Sequence, residues 1–420
     1  MDNTDVKVSA NTLMNMLDTE ALAMIGEKTM VDFHARKLRG LTLLKLVLEG
    51  LFFYRSRLTL DGLSEYYKSP LFLDRLGEIE DRAISKAGLS KRMNRINPEY
   101  YKEIYDNAVE RWSETLSKAR RPVIPGLDLV AVDSSLVTQS ARILKQGLRY
   151  GRPKSGGDSR IGVKYTLGFD GKEALYAAVH LNPEYADEDK ALGEAIQDIC
   201  RQHPVTKDID VFLFDRGIKS AVVMADMDNN GIRFVGRMNP HRRIELVRAS
   251  QAPEGDLQKD ATLVRDDVVK LYGKEGRKLL DPEFRVITIS LDHEIGRREG
   301  NGGRGETKLT LITNEMELPA ADILEAYRFR WKIEVFFKFL KQNLDMSHLM
   351  TGGQNGLEVM LYITLIAAAL LKAYCILNDC GPKFSPLFIA CQLKDSIDDY
   401  IDEYCLSRLD PAKDSILKPA

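Results

Sequence analysis

Tyr327, Arg330, Glu334 and Lys341 stand at i, i+3, i+7 and i+14. On a helix turning about 100° per residue, those offsets fall within a sector of roughly 60°. One face would carry a phenol, a guanidinium, a carboxylate and an ammonium in line, with Lys338 beside them. A lone carboxylate among cations suits one side of a metal-and-phosphate site. The opposite face carries Phe329, Ile333, Phe336, Leu340 and Leu344, an apolar stripe fit to pack on a sheet. Trp331, at the edge, reads as a packing anchor in preference to a base-stacking group.

Two further carboxylates close apolar runs: Val130-Ala131-Val132-Asp133 and Val211-Phe212-Leu213-Phe214-Asp215. Ends of central strands are firm platforms, and Arg216-Gly217 gives a sharp exit after the second. Three carboxylates around one pocket raise one another's pKa unless cations neutralise them. Mg²⁺ accepts a few carboxylate oxygens with water and phosphate oxygens completing its shell. Two such ions about 4 Å apart would serve phosphodiester displacement. Taken singly, an Asp after a strand is more often a turn or N-cap residue, and Glu334 a solvated partner of lysine. The conjunction of all three favours the site.

The elements that must position these groups follow from the rest of the chain. Its 420 residues suggest two or three domains, and 44% hydrophobic with 29% charged content is ordinary for a globular protein. Net charge is only −2, so polyanion binding must come from local patches. Lys118 to Lys164 is basic, and Lys394 to Asp414 is acidic. Five cysteines without a C-x-x-C pair point to a reducing cytoplasm. The polar, acidic start Met1–Asp5 is unlike a secretory signal. The apolar run Val359 to Leu371 falls short of the roughly 20 residues a bilayer needs, so a buried helix and no membrane span is expected.

Residues 1–122 read as helices punctuated by Pro70 and Pro98. Strands are expected at Leu127–Asp133, Ile161–Phe169, Ala174–Leu181, Asp210–Asp215, Arg233–Arg237, Phe284–Leu291 and Lys308–Thr313, with a hairpin turn at Asp170-Gly171. Helices are expected at Asp187–His203, Lys219–Asn229, 319–344 and 356–377. Residues 238–283 are mixed and polar, with no clear place in the sheet. The division is a helical N-terminal domain (1–122), a catalytic α/β domain (123–237 and 284–393), an insertion (238–283) and an acidic tail (394–420).

Asp133, Asp215-Arg216-Gly217 and the Tyr327–Arg330–Glu334–Lys341 series resemble the DDE-type transposases of insertion sequences, in the subgroup with a Tyr-Arg-Glu-Lys signature and a β-rich insertion. Gly162-Val163-Lys164, Phe234-Val235-x-Arg237 and Thr313-Asn314 add to the likeness, which covers about residues 125–350. The resemblance implies a ribonuclease-H-like mixed sheet flanked by helices, two Mg²⁺ or Mn²⁺ ions held by Asp133, Asp215 and Glu334, and cut-and-paste transposition. The substrates implied are the transposon's inverted-repeat ends and target DNA, bound by a homodimer in a synaptic complex at the prokaryotic nucleoid. Tyr327, Arg330 and Lys341 would hold the DNA backbone, and Lys338, Lys164 and Arg237 are further candidates. Relatives that open a hairpin stack an aromatic from the insertion on a displaced base. Here neither tryptophan lies in it, and only Tyr272 and Phe284 stand at its end.

Outside that region, Leu60–Lys68 followed by Ile84–Met93 has a helix-turn-helix flavour, with Lys86, Lys91 and Arg92 on a face that could meet a duplex. The basic loop Arg142–Arg160 is a further expected backbone contact. The Gly-rich turn 300–305 lacks the Lys-Ser/Thr of a nucleotide loop, so no nucleotide cofactor is expected. The alternatives are a DNA-binding protein that has lost catalysis and a metal-dependent nuclease without strand transfer.

Overall fold

Apolar side chains all round a helix demand burial on every side, and two segments of the chain show this. In the computed structural model, Gly40–Phe53 and Gln354–Leu377 are such helices. The structure describes residues 10–35, 37–53, 57–69, 72, 83–118, 123–139, 144, 146–150, 160–202, 210–249, 255–258, 260–273, 278–295 and 306–378. The chain divides into two units: 1–119 with 137–162 and 338–420, and 120–136 with 163–337. The basic loop falls largely outside the described residues, and the Gly-rich turn and acidic tail wholly so.

Among the described residues the first unit opens with seven helices: α1 (Ala10–Met14), α2 (Thr19–Lys28), α3 (Gly40–Phe53), α4 (Leu60–Lys68), α5 (Lys86–Met93), α6 (Glu99–Arg111) and α7 (Ser113–Lys118). Asp18, Thr59 and Ser85 cap α2, α4 and α5 by accepting backbone N–H groups that have no helical partner.

The second unit is built on one mixed sheet. Its strands are β1 (Asp128–Gln139), β3 (Arg160–Phe169), β4 (Ala174–His180), β5 (Asp210–Phe214), β6 (Arg233–Arg237), β7 (Ile244–Ala249), β8 (Gly255–Gln258), β9 (Ala261–Tyr272), β10 (Leu279–Ile295) and β11 (Glu306–Thr313). The short β2 (Leu148–Tyr150) pairs with the first residues of β3. Spatial order is β3-β1-β5-β6-β11-β10-β9-β7, with β4 on β3 and β8 on β9. β1, β5 and β6 run parallel, while the strands beyond β6 alternate. Parallel central strands are covered on both faces, which is why Val211 to Phe214 are wholly buried. Helices α8 (Glu188–Gln202) and α9 (Ala221–Asn229) cover one face, where Leu192, Ile196 and Met224 meet Val130, Phe212 and Phe234. The signature residues follow in α10 (Ala320–Phe329) and α11 (Trp331–Asn343).

The last helix among the described residues, α12 (Gln354–Leu377), belongs to the first unit and packs on α3, α5, α6 and α7. It is long and apolar enough to cross a bilayer, yet 72% of its most apolar stretch is buried inside the protein. Its start is fixed by polar ties: Thr351 Oγ1 donates to Asn94 Oδ1 at 2.7 Å and Asn355 Nδ2 to the Ile96 carbonyl at 3.1 Å.

Three expectations change. β1 runs on to Gln139, so Asp133 lies inside a strand and not at its end. Residues 238–283, which had no clear place, supply β7, β8 and β9 and the start of β10, all in the same sheet. The helix expected over 319–344 is two helices, because Arg330 N–H turns to the Tyr327 carbonyl at 3.1 Å and Ile333 N–H to the Arg330 carbonyl at 3.2 Å, tightening one turn.

The β5–β6 contact yields a test. A Cβ on Gly236 would sit 2.1 Å from the Phe214 ring, inside the core. Gly236→Ala is expected to destabilise the fold by about 1–3 kcal/mol through overpacking. Thermal unfolding at an unchanged temperature would contradict this packing.

Candidate active site

Register places the first two carboxylates. β1 and β5 are parallel neighbours with Ala131 opposite Leu213, and Asp133 and Asp215 each follow two residues later. Carried two residues further, that register sets them level, Asp133 within β1 and Asp215 one residue past the end of β5. Ser134 N–H donates to Asp133 Oδ1 at 2.8 Å, and the Ser134 and Thr166 hydroxyls meet at 2.8 Å, joining β1 to β3. After Asp215 the backbone passes so close to α8 that a Cβ on Gly217 would lie 2.6 Å from Leu192 Cδ1 and 2.9 Å from Glu188 Oε2. A larger residue there would require the Leu192 and Glu188 side chains to shift, which favours glycine in the Asp-Arg-Gly sequence.

The third carboxylate comes from the helices after β11. Asn314 pins that junction: its Oδ1 accepts from Phe234 N–H at 3.0 Å, and its Nδ2 donates to Asp228 Oδ1 and the Ile232 carbonyl, both at 3.0 Å. Arg233 grips Glu315 through two nitrogens. From there α10 packs on β5 and β6. Phe336 of α11 stacks on Phe169 of β3 at 4.5 Å and 10°. Ile333 and Phe337 are buried as part of the apolar side of α11.

Two side chains then link all three carboxylates. Tyr327 O–H donates to Asp215 Oδ1 at 3.1 Å. Arg330 Nη2 donates to Glu334 Oε1 at 2.5 Å, and its Nη1 lies 4.0 Å from Asp133 Oδ2. The guanidinium also sits 5.5 Å from the Tyr327 ring centre, and Arg237 Nη1 is 3.8 Å from Asp215 Oδ1. Burial pushes the Asp133 carboxyl up to about 7, with Glu188 and Glu334 adding to the rise and Ser134 N–H and Arg330 opposing it. Burial, then the Asp215 charge, also raises the Tyr327 hydroxyl, so it remains a hydrogen-bond donor at neutral pH.

An all-oxygen, acidic donor set fits a hard divalent cation. Among the described residues no three such groups stand close enough to hold an ion as they are. Arg330 lies between Glu334 and Asp133 and carries positive charge to both.

The other sequence candidates divide. Lys338 is exposed and Lys341 half-buried, both on α11 where the chain belongs to the first unit. Lys164 is not a surface contact: it is buried, its ammonium donating to the Ala186 carbonyl at 3.1 Å. Arg92 is an internal tie, donating to the Leu38 and Val31 carbonyls and to Asp32, at 2.9 to 3.0 Å. Lys86 pairs with Asp61 at 2.5 Å, and Lys91 is exposed. Trp331 is 61% exposed, so it anchors no packing. Phe284 is a core residue against Phe234, and Tyr272 is held by Glu245 at 2.8 Å. Glu188 escaped the sequence reading. It influences both Asp133 and Lys164, but nothing in the helix start Asp187-Glu188-Asp189 signalled a place beside strands far away in sequence.

Residues 124–370, more than half of the chain, match the Transposase DDE domain family. A Sinorhizobium fredii protein named as a transposase, y4zB, is 30% identical over 38% of this chain and 41% of its own length. The transposase for insertion sequence element IS231C of Bacillus thuringiensis is 23% identical over 68% of this chain, which spans 64% of that protein. The transposase for IS1151 of Clostridium perfringens is 22% identical over 70% of this chain and 66% of its own length. A mixed sheet that sets two aspartates level, a helix that brings a glutamate to them, and this match agree: the chain belongs to the family of transposase DDE domains.

Proposed function

We propose that the chain is the transposase of an insertion sequence, cutting and joining DNA strands at the inverted-repeat ends through a ribonuclease-H-like centre of Asp133, Asp215 and Glu334. The observation that carries this is the linkage of all three carboxylates by Tyr327 and Arg330. These carboxylates would hold two Mg²⁺ or Mn²⁺ ions, which when bound activate the attacking oxygen and stabilise the leaving one. Asp133 must lose its proton to bind a cation; burial opposes that loss, and an arriving positive charge lowers its pKa and favours it. Arg330 presents a planar fork suited to a phosphate when it leaves Glu334. Tyr327 orients Asp215, and Arg237 steadies the same oxygen. Holding two transposon ends together calls for a homodimer in a synaptic complex, and for prokaryotic DNA the place of action is the cytoplasm.

The test uses a labelled duplex from the DNA flanking the coding sequence. With Mg²⁺ or Mn²⁺ the protein is expected to nick at the element's terminus, leave a 3′-hydroxyl and join it to a second duplex. Cutting without joining would favour the nuclease reading, and DNA binding without metal-dependent cutting would overturn the catalytic assignment.

A further inference from the structure

A cleft of about 380 Å³ opens beside Asp215, between the loop that follows β5 and the turn that joins β6 to β7. Arg216, Lys219, Arg237, His241, Arg242 and Arg243 line it, and no carboxylate does. That is a biased sample of a chain whose 60 bases and 62 acids nearly balance. We infer that this cleft is a phosphate-binding site, taking a phosphodiester of the DNA strand that runs past Asp215.

The inference rests on the reading above that the chain acts on DNA, and adds a contact that the signature helix does not make. The cations come from two segments, 216–219 and 237–243, that are fastened together. Arg242 Nη1 donates to the Lys219 carbonyl at 2.8 Å, and the Arg243 guanidinium lies 4.2 Å from the Tyr272 ring centre. Nearby acids are engaged at the rim. Asp215 faces Tyr327 and Arg237, Glu245 accepts from Tyr272, and Asp189 accepts the Lys219 and Ser220 N–H groups. A phosphate entering the hollow would meet several of these cations at once. Burial lowers the Arg242 pKa, with Asp189 opposing, so the guanidinium too gains from a negative guest. Arg237 reaches Asp215 and Arg216 follows it in the chain, so a phosphate here would extend the hold on the strand from Tyr327 and Arg330 past the reacting group.

The experiment titrates binding of the full chain to a short duplex against salt, in EDTA so that nothing is cut. Lys219→Gln, the double variant Lys219→Gln/Arg243→Gln and a distant control, Lys308→Gln, are compared. The exposed Lys219 ammonium makes its single replacement the one that should leave the melting temperature unchanged. Each phosphate contact contributes about 0.9 to the slope of log affinity on log salt. We expect the slope to fall by about one in the double variant and by no more than that in the single, with affinity reduced several-fold and the control unmoved. Slopes equal to the unsubstituted protein's, or an equal fall in Lys308→Gln, would overturn the cleft as the site. No salt-dependent binding by the unsubstituted protein would overturn the DNA reading itself, and the inference with it.

Discussion

Glu334→Gln is expected to reduce DNA cutting by about a thousandfold or more, about 4 kcal/mol of barrier, while DNA binding changes by no more than about twofold. The substitution keeps the side-chain shape. The new amide oxygen can still accept from Arg330 Nη2, now 2.5 Å from Glu334 Oε1, so the turn between α10 and α11 should hold. What disappears is the negative charge, and a neutral amide is a poorer partner for a hard cation than a carboxylate. A gel assay on labelled duplex gives the rate, and filter binding in EDTA gives the affinity. Comparable cutting by both proteins would remove Glu334 from the catalytic set. Loss of both cutting and binding would instead mark it as a structural residue.

Without divalent cations, the protein is expected to lose stability as pH rises from about 4 to about 7. An aspartate in the unfolded chain titrates near 3.8, and Asp133 rises to about 7 in the fold, so across that window the unfolded chain releases its proton while the folded one keeps it. The stabilisation is fully present below the unfolded value and is lost as pH passes the folded one. With the side chain about a quarter exposed, the effect is on the order of 1–3 kcal/mol. Asp133→Asn removes the titration and should flatten this part of the melting curve against pH. Mg²⁺ at pH 8 should raise the melting temperature of the unsubstituted protein and leave the Asn variant nearly unmoved. A metal-free melting temperature that is flat from pH 4 to 7 in both proteins would refute the burial of this carboxyl.

Much of the site was legible because its strands are apolar on both faces and end their runs in acid. Val130–Asp133 and Val211–Asp215 could be read for that reason, as could the spacing of Tyr327, Arg330 and Glu334. The true length of β1 was not, since Ser134, Ser135, Thr138 and Gln139 break the apolar run while the backbone stays extended. The strands between 238 and 283 hid for a related reason. β7 leaves almost every side chain exposed, and an outer strand needs no hydrophobic signature to hydrogen-bond along its neighbour. Helical periodicity cannot distinguish a continuous helix from one with a tightened turn, so the break at Arg330 was invisible. Arg92 looked like a surface cation because its acceptors, Val31, Asp32 and Leu38, are brought to it only by folding.

The level placement of Asp133 and Asp215 makes the hydrogen-bond ladder between β1 and β5 a ruler. Neighbouring strands lie about 4.8 Å apart whatever side chains they carry. That spacing is set by amides, which every sequence possesses. Mutations can exchange the packing around the pair without altering its calibration, so long as the register survives. Between this chain and relatives that share 20–30% of the aligned residues, a gauge made of amides asks nothing of the residues that differ.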